Sequence, residues 1–308
     1  MAATHPTAPR GVLAAALTPL AADSAPAAAR FVDHCRWLLD NGCDGLGVLG
    51  TTGEAMSFSV AERRGLLDAL VEAGVPPRRL IVGTGAAALP DAVELSAHAA
   101  ALGCAGCLIV PPFYLKPVSE DGLFAAYAGI IDGAGDDRLR VFLYHFPQMS
   151  GIPIPRAVIA RLADAFGNIV AGLKDSSGDL DHMTGLARDF PALAVYSGTE
   201  RYLLPILEAG GAGCISAGAN VTAPVIAALY GEWKRSGAGE GARCLQQRVA
   251  QLRGVLDGVA MIPAMKALIA RRRDDPGWAA VRPPLVPLGD ADRAAFLAGA
   301  DAVGLVLP

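Results

Sequence analysis

The stretch NIVAGLKDSSGDL, residues 168–180, joins a short apolar run to a lysine and a polar turn. Ile169–Leu173 has the length and apolar character of a strand that is buried on both faces. Lys174 stands at the end of this run, where an ammonium is costly unless it is paired or loses its proton. Lys174 is therefore either a salt-bridged lysine, with Asp175 as candidate partner, or an amine that attacks carbonyl groups.

The basic residues of the chain favour the second interpretation. Only four lysines, Lys116, Lys174, Lys234 and Lys266, stand among the 26 lysines and arginines. Arginine keeps its proton in proteins, whereas a buried lysine can deprotonate and become a nucleophile. A lysine kept at position 174 in an arginine-rich chain therefore indicates a need for a neutral amine.

Working outward from this stretch, apolar runs alternate with amphipathic segments along most of the chain. The predicted strands are Val12–Leu17, Gly45–Leu49, Leu80–Val82, Cys107–Val110, Arg140–Tyr144, Ile169–Leu173, Leu193–Tyr196 and Gly213–Ser216. A helical pattern follows each of them, and Ser59 with Glu62 predicts a capping box at the start of the second helix. Eight such repeats, spaced by about 20 to 35 residues, are typical of a (β/α)8 barrel.

An open, doubly wound sheet is the competing fold. It favours a glycine-rich phosphate-binding turn after the first strand, but residues 18–20 are Thr-Pro-Leu. After the glycine-rich joint at residues 236–239 only helical patterns follow. The sequence therefore predicts an α/β fold, a (β/α)8 TIM barrel over residues 1–236, with a C-terminal helical domain over residues 237–308.

Composition argues against several classes of function. The formal net charge of −4 and the absence of basic clusters argue against nucleic-acid binding and against membrane-surface attachment. The six cysteines show no disulfide framework, which favours a reducing cytoplasm. The five histidines lack metal-ligand spacing, so we expect no metal site. No organic cofactor is implied either.

Polar residues gather where the predicted strands end, which is where (β/α)8 enzymes place their active sites. They comprise Thr51, Thr52, Tyr114, Tyr144, His145, Lys174, Ser197, Gly198 and Ser216. Each alone has a structural explanation, such as a turn or a barrel-filling side chain. Together, one amine, two phenols, hydroxyls and glycine amides suit iminium chemistry, in which an uncharged lysine attacks a ketone.

Three motifs in order make the chain recognisable: GTTGE at residues 50–54, Tyr144-x-x-Pro147, and Gly172-x-Lys174 before a polar turn. With them, residues 11–266 resemble the pyruvate-dependent class I lyases of the dihydrodipicolinate synthase and N-acetylneuraminate lyase superfamily. The resemblance implies that Lys174 forms a Schiff base with a 2-oxo acid. It also implies that Tyr144 is the general acid/base.

The resemblance assigns further roles. Thr51 and Thr52 would bind the substrate carboxylate and relay protons, while Gly198 and Ile215 would line the pyruvyl pocket through their carbonyl groups. Tyr114 matches a catalytic tyrosine that a neighbouring subunit inserts into the site. The expected assembly is consequently a homo-oligomer, a dimer of dimers.

Departures from the family pattern bear on the substrate. Met149 stands where dihydrodipicolinate synthases carry an arginine that holds the aldehyde substrate's carboxylate, and a thioether cannot make that bidentate contact. Thr199-Glu200-Arg201 and Ala217 keep the sialic acid lyase pattern only in part. The turn KDSSG at residues 174–178 more closely resembles that of the aldolases and dehydratases acting on 2-keto-3-deoxy sugar acids or 4-hydroxy-2-oxoglutarate. A catalytically inactive barrel that senses a 2-oxo acid is the alternative from another class.

Overall fold

Eight parallel strands close into a barrel in the computed structural model, which describes residues 8–305. The strands are β1 (Gly11–Ala15), β2 (Gly45–Val48), β3 (Leu80–Gly83), β4 (Gly106–Ile109), β5 (Val141–His145), β6 (Val170–Asp175), β7 (Ala194–Ser197) and β8 (Gly213–Ser216). They are ordered as in the sequence, and β1 pairs with β8 to close the sheet. The prediction of a (β/α)8 barrel is thereby confirmed.

Twelve α-helices lie within the described residues. They are α1 (Ala28–Asp40), α2 (Val60–Glu72), α3 (Leu89–Ala101), α4 (Glu120–Ala134), α5 (Pro147–Ser150), α6 (Arg156–Phe166), α7 (Leu180–Asp189), α8 (Leu203–Glu208), α9 (Ala219–Ser236), α10 (Glu240–Gly254), α11 (Met261–Arg273) and α12 (Asp290–Ala302). The predicted capping box is present: the Ser59 hydroxyl accepts from the Glu62 amide, and the Glu62 carboxylate accepts from the Ser59 amide. Helix α5 was not predicted, because four residues are too few to show a helical period.

Strand β6 runs two residues further than its apolar pattern suggests. Lys174 and Asp175 pair with Tyr144 and His145 on β5, and with the last residues of β7 on the other side. Backbone pairing on both sides therefore continues the strand through two charged residues. As a result, Lys174 belongs to the barrel wall and not to the turn that follows it.

The barrel interior is filled around one aromatic ring. Phe142 is fully buried, and its neighbours Gly106 and Gly172 on the adjacent strands leave room for its ring. A Cβ at Gly172 would lie 2.4 Å from the Ala194 carbonyl oxygen and 2.7 Å from the Phe142 ring. Tyr196 packs next to Phe142, with ring centroids 6.0 Å apart. This layer forms the floor beneath the residues at the barrel mouth.

We expect Gly172→Ala to lower the free energy of unfolding by about 1 to 3 kcal/mol, because the methyl group overpacks the barrel floor. Gly65→Ala is the matched control, since Gly65 is exposed in α2 and a Cβ added there would meet only open space. That control should gain roughly 0.5 to 1 kcal/mol from helix propensity. Urea unfolding measures both, and a Gly172→Ala protein as stable as wild type would contradict this packing.

Helices α10, α11 and α12 form a C-terminal extension beside the barrel. They share an apolar cluster with Leu17, which follows β1, and with Val221 of α9. The boundary between two domains near residue 236 stays a prediction. Among residues 8–305, no helix combines the length and apolar character needed to cross a lipid bilayer.

Candidate active site

Lys174 and Tyr144 face each other inside the mouth of the barrel. They occupy neighbouring strands in register, and each residue is only 5% exposed. The Lys174 Nζ donates a hydrogen bond to the Tyr144 Oη at 3.3 Å and lies 4.4 Å from the centre of the phenol ring. The lysine thus has a proton-exchanging group within reach in a largely dehydrated setting.

Asp175 points away from this pair, because side chains alternate across a strand. Its Oδ2 lies 2.7 Å from the His182 Nδ1, and its Oδ1 accepts from the Ser177 amide at 2.8 Å. Among the described contacts, the partner of Asp175 is therefore His182 and not Lys174. A purely structural role of Lys174 requires a salt bridge with Asp175, and these contacts do not include one.

His145 joins Asp175 and His182 on the outer side of the strands. One ligand-type atom of each lies within 4.8 Å of the others, and the two imidazole rings are 4.7 Å apart. Burial lowers the pKa of His145, although the Asp175 carboxylate opposes that shift. The His145 Nδ1 accepts from the Ile154 amide at 3.1 Å. The cluster stabilises the turn after Lys174. It was not predicted, because its members are separated in the sequence.

The loop after β2 brings Thr51 and Thr52 to the same mouth. Both are half-buried, and Thr51 lines a cavity of about 20 Å³ together with Tyr144. The loop is held from below, because the Thr18 hydroxyl donates to the Gly53 carbonyl at 2.9 Å. A Cβ at Gly53 would lie 3.0 Å from the Ala16 carbonyl oxygen, so the loop packs closely against the segment after β1.

Gly198 follows β7, and Ile215 lies on β8, which is separated from β2 and its loop only by β1. The Gly198 amide donates to the Asp175 carbonyl at 2.6 Å, and a Cβ at Gly198 would come within 2.0 Å of the Ser176 Oγ. Ile215 is fully buried and faces the barrel interior, where it occupies the space left by Gly47. Gly198 is thus fixed by close packing against the end of the lysine-bearing strand, and Ile215 by packing against β2.

Glu200 is a buried acceptor whose place in the site could not be assigned from the sequence. It follows β7, is 1% exposed, and accepts from the Ser216 hydroxyl at the end of β8. Arg253 of α10 lies 3.3 Å from its Oε2. Its Oε1 is buried without a hydrogen-bond partner among the described residues. A buried acceptor that lacks a donor is destabilising, and a ligand hydroxyl reaches this one only after a local rearrangement.

Two predicted site residues lie further out. Tyr114, in the loop after β4, is 80% exposed, and Met149 of α5 is 61% exposed. Neither contributes to the buried pair within one chain. At position 149 the exposed side chain is a thioether and not a cation.

A closed barrel with a buried amine and phenol at the carboxyl ends of its strands has the layout of a (β/α)8 enzyme active site. The family model described as the dihydrodipicolinate synthetase family matches residues 8–302. An uncharacterized DapA-like lyase of Chloroflexus aurantiacus is 36% identical over 291 residues, covering 94% of this chain and 95% of that protein.

Solved structures agree with this match. The crystal structure of dihydrodipicolinate synthase from Agrobacterium tumefaciens aligns with a TM-score of 0.87 at 32% identity, over 96% of this chain and 99% of that one. YagE, a prophage protein of the dihydrodipicolinic acid synthase family from E. coli K12 solved with pyruvate, gives 0.86 at 26% identity, over 96% and 99%. The chain belongs to the dihydrodipicolinate synthetase family.

Proposed function

We propose that the protein is a Schiff-base-forming lyase that acts on pyruvate or a related 2-oxo acid. The observation that carries the proposal is the buried pair of Lys174 and Tyr144, with Nζ and Oη 3.3 Å apart. The similarity to YagE, whose structure contains pyruvate, supports the choice of ligand. In the same proposal, no metal or organic cofactor takes part.

The proposed cycle starts when the neutral Lys174 amine adds to the ketone carbon of the 2-oxo acid. Tyr144 passes a proton to the resulting hydroxyl, water leaves, and the carbon–nitrogen bond becomes an iminium. In an aldol cleavage the iminium accepts the electron pair of the carbon–carbon bond that breaks. In a dehydration it accepts the pair left when the adjacent carbon loses a proton, and the hydroxyl on the next carbon is then expelled as water. Thr51 and Thr52 hold the carboxylate, and Gly198 and Ile215 bound the pyruvyl group.

For the second part of the substrate we propose a hydroxylated chain, as in 2-keto-3-deoxy sugar acids or 4-hydroxy-2-oxoglutarate. The Oε1 of Glu200 offers an unused acceptor at the ends of β7 and β8. Met149 gives an aldehyde substrate's carboxylate no cation, which disfavours dihydrodipicolinate synthesis despite the Agrobacterium relative. The proposed reaction is therefore an aldolase or dehydratase reaction.

We also propose that Tyr114 completes the site of a neighbouring subunit in a dimer of dimers. Its 80% exposure, beside the 76% exposed Leu115, supports a partner at this surface. Sedimentation of the protein at micromolar concentrations tests the assembly, and Tyr114→Ala tests the crossing side chain. The cytoplasm is the proposed location, in line with six unpaired cysteines.

The test is borohydride reduction with pyruvate, followed by intact and peptide mass analysis. We expect a pyruvyl adduct on Lys174, after which pyruvate release from a set of 2-keto-3-deoxy acids identifies the substrate. Pyruvate with aspartate semialdehyde is the comparison reaction and should turn over poorly. A folded protein that forms no adduct contradicts the proposal. An adduct without turnover of any acid favours the alternative, a barrel that only binds 2-oxo acids.

A further inference from the structure

The carboxylate-binding loop is attached to the C-terminal extension through a fully buried ion pair. Glu54 closes the GTTGE motif at residues 50–54, and its side chain is 0% exposed, as is that of Lys266 on α11. The Lys266 Nζ donates to the Glu54 Oε1 and to the Ala280 carbonyl, the latter at 2.8 Å. The Arg282 amide donates to the other Glu54 oxygen at 2.9 Å. Both oxygens of this loop residue are thus held by the extension.

The loop conformation makes this attachment matter for the threonines. Glu54 has a φ of 56°, a left-handed conformation that a residue with a side chain adopts only when its surroundings hold it. Its amide donates to the Thr51 carbonyl at 3.0 Å, so the orientation of Glu54 is transmitted directly to Thr51. The ion pair therefore acts on the turn that presents the two threonine hydroxyls.

A second contact holds the chain just after the loop. The Arg282 guanidinium donates to the Ser57 carbonyl at 2.7 Å and to the Glu62 carboxylate at 2.7 Å. It also lies 4.6 Å from the centre of the Phe58 ring. The hydrogen bond from Arg282 lowers the pKa of Glu62 to about 2, so this contact stays ionised at neutral pH. The loop is consequently fixed at its end and again a few residues further on.

The pair cannot be explained as a gain in stability alone. Burial lowers the pKa of Lys266, against the opposing effect of Glu54, because removing two charges from water is costly. Apolar residues of similar volume often replace a buried ion pair without loss of stability, although here they would leave the Arg282 amide and the Ala280 carbonyl unpaired. What the pair does provide is a fixed place for both carboxylate oxygens of Glu54.

We propose that Glu54, Lys266 and Arg282 are positioning residues, through which the C-terminal extension sets Thr51 and Thr52 for binding the carboxylate of the 2-oxo acid. This inference rests on the proposed function, because it concerns the affinity of that same site. Lys174 itself is not part of the contact. The extension should therefore control how tightly the acid binds and leave the amine competent.

The experiment measures how the Lys174 adduct trapped by borohydride depends on pyruvate concentration. The variant Glu54→Gln/Lys266→Met removes both charges and keeps an acceptor for the Arg282 amide. We expect its half-saturating pyruvate concentration to rise about ten- to hundredfold, the loss of one charge-assisted contact. At saturating pyruvate it should still trap fully, and kcat should change less than KM does.

Two further variants keep the test decisive. Arg282→Met leaves the buried pair intact and should raise the half-saturating concentration several-fold even if the double variant fails to fold. Asp275→Asn is the control, because it removes an ion pair at 3.2 Å between Arg30 of α1 and the extension without touching the loop. It should bind pyruvate as wild type does.

The inference would be overturned if Glu54→Gln/Lys266→Met and Arg282→Met, where folded, had the wild-type half-saturating pyruvate concentration. The contact would then only join the extension to the barrel. A rise of equal size in Asp275→Asn would also overturn it. Failure of the wild-type protein to form any adduct would instead contradict the proposed function. The two failures are therefore distinguishable in the same experiment.

Discussion

Replacement of Lys174 by methionine is expected to lower kcat by about 10⁴-fold or more, the scale seen when a covalent nucleophile is removed. Methionine fills a similar volume in the barrel mouth but offers no amine to add to the ketone. Borohydride should trap no pyruvate on this variant. Turnover is measured by pyruvate release, and trapping by intact mass.

Two controls separate the loss of the amine from general damage. Lys174→Arg keeps a cation beside Tyr144 but cannot deprotonate, so it should be as inactive as the methionine variant. Lys234→Met removes a lysine on the outer face of α9 that lies over the Tyr230 ring, and it should keep wild-type turnover and trapping. Appreciable turnover by Lys174→Arg would mean that Lys174 acts as a fixed charge and not as a nucleophile.

Tyr144→Phe is expected to reduce kcat by about 10² to 10⁴-fold, the range for loss of a positioned general acid/base. The ring and its packing against Phe146 remain, while the hydroxyl that receives the Lys174 hydrogen bond is lost. Adduct formation should persist but become slow, because the amine is still present. The rate of trapping and the pH profile of kcat measure the effect.

Tyr196→Phe is the matched control for this variant. Tyr196 is a fully buried tyrosine on β7, and its hydroxyl donates to the Pro9 carbonyl and not to the lysine. Its loss should cost about 1 kcal/mol of unfolding free energy and leave kcat near the wild-type value. Equal losses of activity in both variants would contradict a specific role of the Tyr144 hydroxyl in turnover.

Much of the architecture is readable from local patterns. Short apolar runs followed by amphipathic segments predicted all eight strands in order, and β8 was predicted to the residue as Gly213–Ser216. The same patterns placed Lys174 and Tyr144 at adjacent strand ends, which the register of β5 and β6 shows to be opposite each other. The apolar runs and the segments that follow them are sufficient here because each strand is buried on both faces.

Contacts between distant residues were not predictable in the same way. His145, Asp175 and His182 meet only after β5, β6 and α7 have assembled, and Glu54 is 212 residues from Lys266. No local sequence pattern indicates which buried charged residues pair with each other. Glu54 appeared in a recognised motif and Lys266 marked the end of the resemblance, but their pairing needed the three-dimensional structure.

The 212-residue span between Glu54 and its cation also has a consequence during synthesis. Ribosomes add roughly 5 to 20 residues per second, so Lys266 is made about 10 to 40 s after Glu54. Throughout that interval Glu54 has no Lys266 with which to pair, although β8 is complete at residue 216. A chain halted between residues 216 and 266 would therefore contain all eight strands but lack the contact that holds the loop after β2.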